Sequence, residues 1–217
     1  MPTCRIVIKD ALRALKAIAP GDDATVDELD DGLHALRNLV EEIHNARGPL
    51  VDVDVTANYC PSENQRVRVQ AGYDVTITLP NAIPLYDGFD PCDYGFDPAT
   101  NAGAWAPQGT TASADGVSYR QPSDGARIEI VGTTQALYFY RADLNQWMPA
   151  TGLTAESELP LNARYAGAIG ALLAERLMEV LALGEPTPGL AARISMARST
   201  LYTQAGTRRS PVRAEYF

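Results

Sequence analysis

The chain has 217 residues, 46% of them hydrophobic, and a net charge of −9. That is enough apolar material for one large domain or two small ones, with no run of the roughly 18–20 apolar residues that a membrane span needs. Residues 1–49 carry −3, residues 50–150 carry −7 and residues 151–217 carry +1, so the concentrated positive surface that grips nucleic-acid phosphates is missing.

The opening, MPTCRIVIKDALRALK, keeps charges within its apolar part and has no small-residue cleavage site, so it is not expected to be a signal peptide. Lys9 to Ala19 is expected as a short helix with Leu12, Leu15 and Ile18 on one side, broken at Pro20-Gly21. Thr25-Val-Asp-Glu28 is a capping box, which satisfies free N–H groups at a helix start. The acids Asp27, Glu28, Asp30 and Asp31 suit the positive end of that helix. Leu29, Leu33, Leu36, Val40 and Ile43 then form one apolar stripe, and Gly48-Pro49 ends it. Two such helices make an αα-hairpin whose stripe needs a further partner.

From residue 50 the period changes to two. Val51, Val53 and Val55 alternate with Asp52 and Asp54, Val67 and Val69 with Arg66 and Arg68, and Val75, Ile77 and Leu79 with Thr76 and Thr78. Ile128 with Ile130 and then Leu137-Tyr-Phe-Tyr140 follow a long gap rich in Gly, Pro and Asp. These read as half-buried antiparallel strands, and residues 80–124 as a long loop.

Helical periodicity returns in the last third. Pro160 is a good first-turn residue, and Leu161, Tyr165, Ile169, Leu172, Leu173, Val180 and Leu181 form a broad apolar face up to Gly184. Such a helix would be roughly 36 Å long. Gly167, Ala168, Gly170, Ala171 and Ala174 keep its first half small-sided, which suits close approach of another helix. Thr187-Pro188 opens a final helix with Leu190, Ile194, Ala197 and Leu201 on its buried side, and the polar, basic TRRSPVRAEYF follows it.

The expected class is α+β. Residues 1–49 form a helical hairpin and residues 151–206 supply two helices that complete its bundle. Residues 50–150 are an inserted antiparallel β domain with the long loop 80–124, and residues 207–217 an extended C-terminal tail.

Few motifs carry chemistry. The stretch LYDGFDPCDYGFDPATNAGAW, residues 85–105, holds Asp87, Asp90, Asp93 and Asp97, but at spacings of three, three and four with prolines between. A calcium loop needs alternate ligands and a terminal Glu, so this reads as two Phe-Asp-Pro turns in one loop. Its exposed aromatics Tyr86, Phe89, Tyr94, Phe96 and Trp105 are expected to seek a partner. Glu41-Glu-Ile-His44 contains one E-x-x-H where a di-iron bundle needs two, so His44 is expected to be a surface histidine. Cys4, Cys60 and Cys92 are odd in number and widely spaced, and read as buried or incidental thiols. There is no GxSxG, P-loop or GxGxxG. No catalytic residue, metal site or cofactor is expected. Tyr138, Phe139, Tyr140 and Trp147 read as β-core filling, with a sugar-binding platform as the other reading.

Two long segments, KDALRALKAIAPGDDATVDELDDGLHALRNLVEEIHNARG and ELPLNARYAGAIGALLAERLMEVLALGEPTPGLAARISMARSTL, together with the tail ending in Tyr216-Phe217, resemble a known family. It is that of the head-to-tail adaptor, or head-completion, proteins of tailed bacteriophages, particularly the podophage tail accessory (packaged-DNA stabilisation) group. An aromatic usual near the end of the second helix stands here as Ile43-His44, and the β insertion is larger than in the simplest members.

The resemblance implies a non-enzymatic connector of the virion, made in the host cytoplasm. It implies a homo-oligomeric ring of twelve copies beneath the portal protein that joins the filled head to the tail. Gly167, Gly170, Ala171 and Ala174 would pack subunit against subunit. The tail, with Arg208, Arg209, Pro211, Arg213, Tyr216 and Phe217, would bind the portal, where guanidinium can bond acidic groups bidentately. Tyr86, Phe89, Tyr94, Phe96 and Trp105 would meet the next tail component or a neighbouring subunit. Double-stranded DNA would pass an acidic wall without specific binding, and no membrane is involved. The alternative is a host-surface or carbohydrate-binding β module on a helical assembly stalk.

Overall fold

The computed structural model describes residues 2–79 and 118–202, Asn81, and the strand pairs 83–84 and 111–112; side chains are described except at 83–84, 111–112 and 118–120. The chain divides into two compact units, one of residues 49–164 and one of residues 2–48 with 165–202. In chain order the elements are α1 Cys4–Ala14, α2 Val26–Ala46, β1 Val51–Val55, β2 Gln65–Val69, β3 Ile83–Pro84, β4 Thr111–Ala112, β5 Ser118–Arg120, β6 Arg127–Val131, β7 Gln135–Arg141, β8 Gln146–Pro149, a 3-10 turn Ala163–Tyr165, α3 Ala166–Val180 and α4 Pro188–Tyr202. The class is α+β, with four α-helices and a five-stranded mixed sheet among the described residues.

In the helical unit, α1 starts five residues before the position expected from its sequence, because Cys4, Val7, Ile8, Ala11 and Leu12 all lie on its buried side. The β-branched run Ile6-Val-Ile8 looks like a strand, but its neighbours share the helical stripe. The helix stops early too. Lys16 adopts a left-handed φ of 60°, which lets the Ala17 N–H reach the Leu12 carbonyl at 3.0 Å and the Lys16 N–H reach Arg13 at 3.0 Å. Helix α3 ends in the same way. Ala182 has φ 49°, and the Leu183 N–H donates to the Met178 carbonyl at 2.9 Å. Glycine normally marks this stop; here lysine and alanine occupy it. The expected helix from Pro160 to Leu183 is therefore corrected to α3 alone, about 22 Å long, preceded by the 3-10 turn.

The capping box of α2 forms as expected. Thr25 Oγ1 accepts the Glu28 N–H at 3.3 Å, and Glu28 Oε2 accepts the Thr25 N–H at 2.8 Å. Helix α4 opens with Pro188 in its first turn, where a missing N–H costs nothing, and Thr187 Oγ1 accepts the Leu190 N–H at 3.4 Å. Helix α3 contacts all three other helices and buries Ile169, Ala171, Leu172, Leu173, Ala174, Leu177 and Met178. It is the partner that the α1–α2 hairpin needs.

In the β unit the large sheet has the order β1-β2-β6-β7-β8. The expectation of antiparallel strands is corrected: β1 pairs with β2, and β2 with β6, in parallel, and only β6–β7–β8 is antiparallel. Alternation specifies which side chains share a face, not the direction of the neighbouring strand. Val75–Leu79 contributes only a single bridge, Tyr59 to Ile77. The interval read as a long loop contains the small antiparallel sheet β3-β5-β4. The short β8 lacks the alternation that would have announced it.

Cys4 is free and buried, and burial pushes its thiol up to about 11, so it is an inert packing group. Cys4 is thus a buried thiol as expected, but Cys60 is disulfide-bonded, which corrects its reading as a buried or incidental thiol; an odd count over wide spacings carries no sign of a pair.

Gly32 of α2 packs on α1 so closely that an added Cβ would meet Ile8 Cγ2 well inside van der Waals contact. A β-branched side chain gives way poorly. Gly32→Ala should therefore destabilise the protein by about 1–3 kcal/mol through overpacking, although alanine favours a helix interior by about 1 kcal/mol. Thermal unfolding of Gly32→Ala alone and combined with Ile8→Ala checks this; the double variant should lose less stability than the two single costs added together.

Candidate functional site

The helical unit carries a groove of about 480 Å³ lined by Ile6, Asp10 and Arg13 of α1, Gly167 and Gly170 of α3, and Arg193 of α4. Ile6 is 46% exposed. Beyond its own helix, a Cβ built on Gly167 or Gly170 would meet no atom of the described residues within 4 Å. Neither glycine is needed for packing among those residues; both keep the groove floor low. An adjoining apolar hollow of about 230 Å³, lined by Leu15, Met178, Leu183 and Pro186, shares Ala14 and Leu190 with the groove.

The four small residues expected at a subunit contact thus separate. Gly167 is exposed and Gly170 half-buried. Ala171 is buried but still lines the groove, whereas Ala174 is 0% exposed and is used entirely by its own bundle. Sequence reasoning saw the small stripe but not the flanking charges, because Asp10, Arg13 and Arg193 reach this surface from two other helices.

On another side of the unit, Glu42, Glu175, Arg176, Arg198 and Tyr202 surround a polar hollow of about 190 Å³. Arg176 pairs with Glu42, Arg198 donates to both Glu175 oxygens at 2.7 and 2.8 Å, and the Tyr202 hydroxyl donates to Glu42 at 2.8 Å. Each carboxylate in these bonds is already matched by a cation, so the cluster pins α2, α3 and α4 together. Among the described residues no group of three or more His, Cys, Asp or Glu is placed to hold a metal ion. His44 is buried at 8% exposure, which corrects its expected surface position; it lies on the apolar stripe one residue after Ile43.

In the β unit the buried polar groups are structural. Arg141 is fully buried. Its Nε and Nη2 groups donate to Asp143 Oδ1 at 3.1 Å and Oδ2 at 2.6 Å, and Nη1 donates to the Leu159 carbonyl at 3.1 Å. Glu158 lies 3.5 Å from Nη1. The guanidinium thus holds the β7–β8 turn against the segment before the 3-10 turn. Asp124 makes a second tie there, accepting from the Ala142 N–H at 3.1 Å, Asn162 at 3.2 Å and Arg164 at 2.6 Å. Phe139 and Tyr140 are fully buried, with Tyr140 edge-on to Trp147 at 5.2 Å; they fill the core and are not an open platform. No helix among the described residues is long and apolar enough to cross a membrane.

The tail residues Arg208, Arg209, Pro211, Arg213, Tyr216 and Phe217, and the loop residues Tyr86, Phe89, Tyr94, Phe96 and Trp105, lie outside the described residues. No protein-family model matches the chain, and no curated protein matches it either.

Two outcomes test this description. Gly170→Ala should stabilise the protein by about 0.5–1 kcal/mol, since alanine is the better helix former and its Cβ enters open space; a raised melting temperature checks it, opposite in sign to Gly32→Ala. Arg141 holds the Asp143 carboxyl below its ordinary range. The stability from this pair is therefore complete above the unfolded carboxyl value of about 3.9 and fades as pH falls through the folded one. Asp143→Asn should cost about 2–3 kcal/mol at neutral pH, with a smaller further loss in acid than the parent protein shows by denaturant titration.

Proposed function

We propose that the chain is a structural connector of a tailed-bacteriophage virion, forming a ring beneath the portal that joins the DNA-filled head to the tail. The observation that carries this reading is the glycine floor of the groove between α1, α3 and α4. Among the described residues nothing fills the space over Gly167 and Gly170, and the exposed Ile6 beside it offers apolar area to a neighbour. Residues 9–48 and 165–201, which make up most of the two segments that resemble the adaptor family, fold into one helical unit, while residues 158–164 of the second segment belong to the β unit. Ring assembly by twelve copies, each presenting the groove to the next, is a heterologous contact that closes by rotation.

In this reading the role is structural rather than catalytic. The tail from 207 to 217 anchors to the portal through Arg208, Arg209, Arg213 and the terminal Tyr216 and Phe217. The aromatics Tyr86, Phe89, Tyr94, Phe96 and Trp105 meet the next tail component. The net charge of −9 lets double-stranded DNA pass without sticking, because like charge repels it.

Negative-stain imaging of the protein with purified portal rings tests the proposal. The full chain should cap the portal as a ring. Gly170→Leu should remain folded but fail to close rings, and a chain truncated after Gly206 should no longer join the portal. A full chain that never caps the portal, or Gly170→Leu assembling as well as the parent, would count against it.

A further inference from the structure

The two edges of the five-stranded sheet differ in chemistry. At β8, the Ala150 N–H donates to the Leu137 carbonyl at 2.7 Å, and with the register of β7 and β8 this leaves Trp147 and Pro149 directing their backbone groups outward. Pro149 has no N–H, so this edge presents a broken row of donors, one of the ways by which sheet edges are blunted. At β1 the Val51 N–H donates to the Asn64 carbonyl at 2.9 Å, and the Gln70 N–H to the Val55 carbonyl at 3.4 Å. Val51, Val53 and Val55 therefore bond inward to β2, and Asp52 and Asp54 turn intact N–H and C=O groups outward. Among the described residues no strand lies beyond β1, and Val51 is 64% exposed.

The side chains say which strand would fit. Opposite Asp52 and Asp54, β2 places Arg66 and Arg68. Asp52 is engaged by both, at 3.6 and 3.3 Å, while Asp54 is exposed and has no ion-pair partner among the described residues. Two β1 edges brought together would set aspartate against aspartate, which is destabilising. A strand with arginine or lysine at alternate positions would repeat on the outer side what β2 does on the inner one. Main-chain bonds then supply affinity and the alternate cations supply selectivity.

We propose that the open edge of β1 is a docking site for an extended basic strand of a partner protein, added beside β1 with a cation opposite Asp54. The assignment is independent of the connector reading, since it rests on the β unit alone.

The test uses the full-length protein and a fluorescein-labelled peptide NQRVRVQ, the sequence of residues 64–70, read by anisotropy. Binding should saturate, and the peptide with both arginines replaced by glutamate should not bind. Asp54→Asn should weaken binding by about two- to fivefold, the worth of one cross-strand charge pair. Asp54→Lys should reverse the preference between the two peptides. Asp54→Pro, which removes only an outward donor, should abolish binding with an unchanged circular-dichroism spectrum; should it fail to fold, the Asp54→Lys reversal decides. Absence of saturable binding to the parent protein, or equal binding of both peptides, overturns the proposal. So does displacement by an unlabelled peptide of residues 207–217 at lower concentration than unlabelled NQRVRVQ, which would give the edge to the chain's own tail.

Discussion

Burial of α3 is the constraint on which the helical unit depends. An αα-hairpin has one apolar stripe and nothing to cover it. Here the cover arrives from the far side of the sequence, more than a hundred residues later. Helix α3 is apolar over most of its circumference and packs on α1, α2 and α4 together, so none of the three can bury its stripe without it. Bringing two distant segments together costs loop-closure entropy, but that cost grows only slowly with loop length. A folded β unit within the connection shortens the flexible part further.

The β unit has a different logic. Its alternate residues are charged where a solvated sheet face would be merely polar, and several of those charges are buried. Glu129 is 5% exposed and lies between Arg66, at 2.6 Å, and Gln135, at 2.6 Å. Arg141 spends its donors on Asp143 and the Leu159 carbonyl. A buried charge is tolerable only when paired and hydrogen-bonded, and these bonds are directional. They dictate which segments meet, whereas a purely apolar sheet face would accept several arrangements.

Two surfaces stand out among the described residues. One is the groove over Gly167 and Gly170, low because its residues lack side chains. The other is the β1 edge, where no strand among the described residues pairs with the outward backbone groups. They differ in what they can recognise. The groove offers shape and apolar area with charges at its rim, as a contact between subunits requires. The edge offers a row of donors and acceptors with one carboxylate, Asp54, that has no ion-pair partner among the described residues, which suits an extended chain by backbone and sign.

Much of the fold was legible in residue patterns. The capping box at Thr25, the stripe of α2, the proline-opened α4 and the β1, β2, β6 and β7 segments all follow from local periodicity and turn chemistry. These signals survive because each is made by residues a few positions apart. What failed was also local in cause. The ends of α1 and α3 use Lys16 and Ala182 in a left-handed conformation that sequence normally signals with glycine, and β8 is too short to show a period. Strand direction, the burial of Arg141 and His44, and the three-helix origin of the groove were decided only by tertiary structure. Each depends on which distant residue becomes a neighbour: a charge goes inside when its counter-charge is waiting there, and a glycine faces open space only when the helices around it leave that space unfilled.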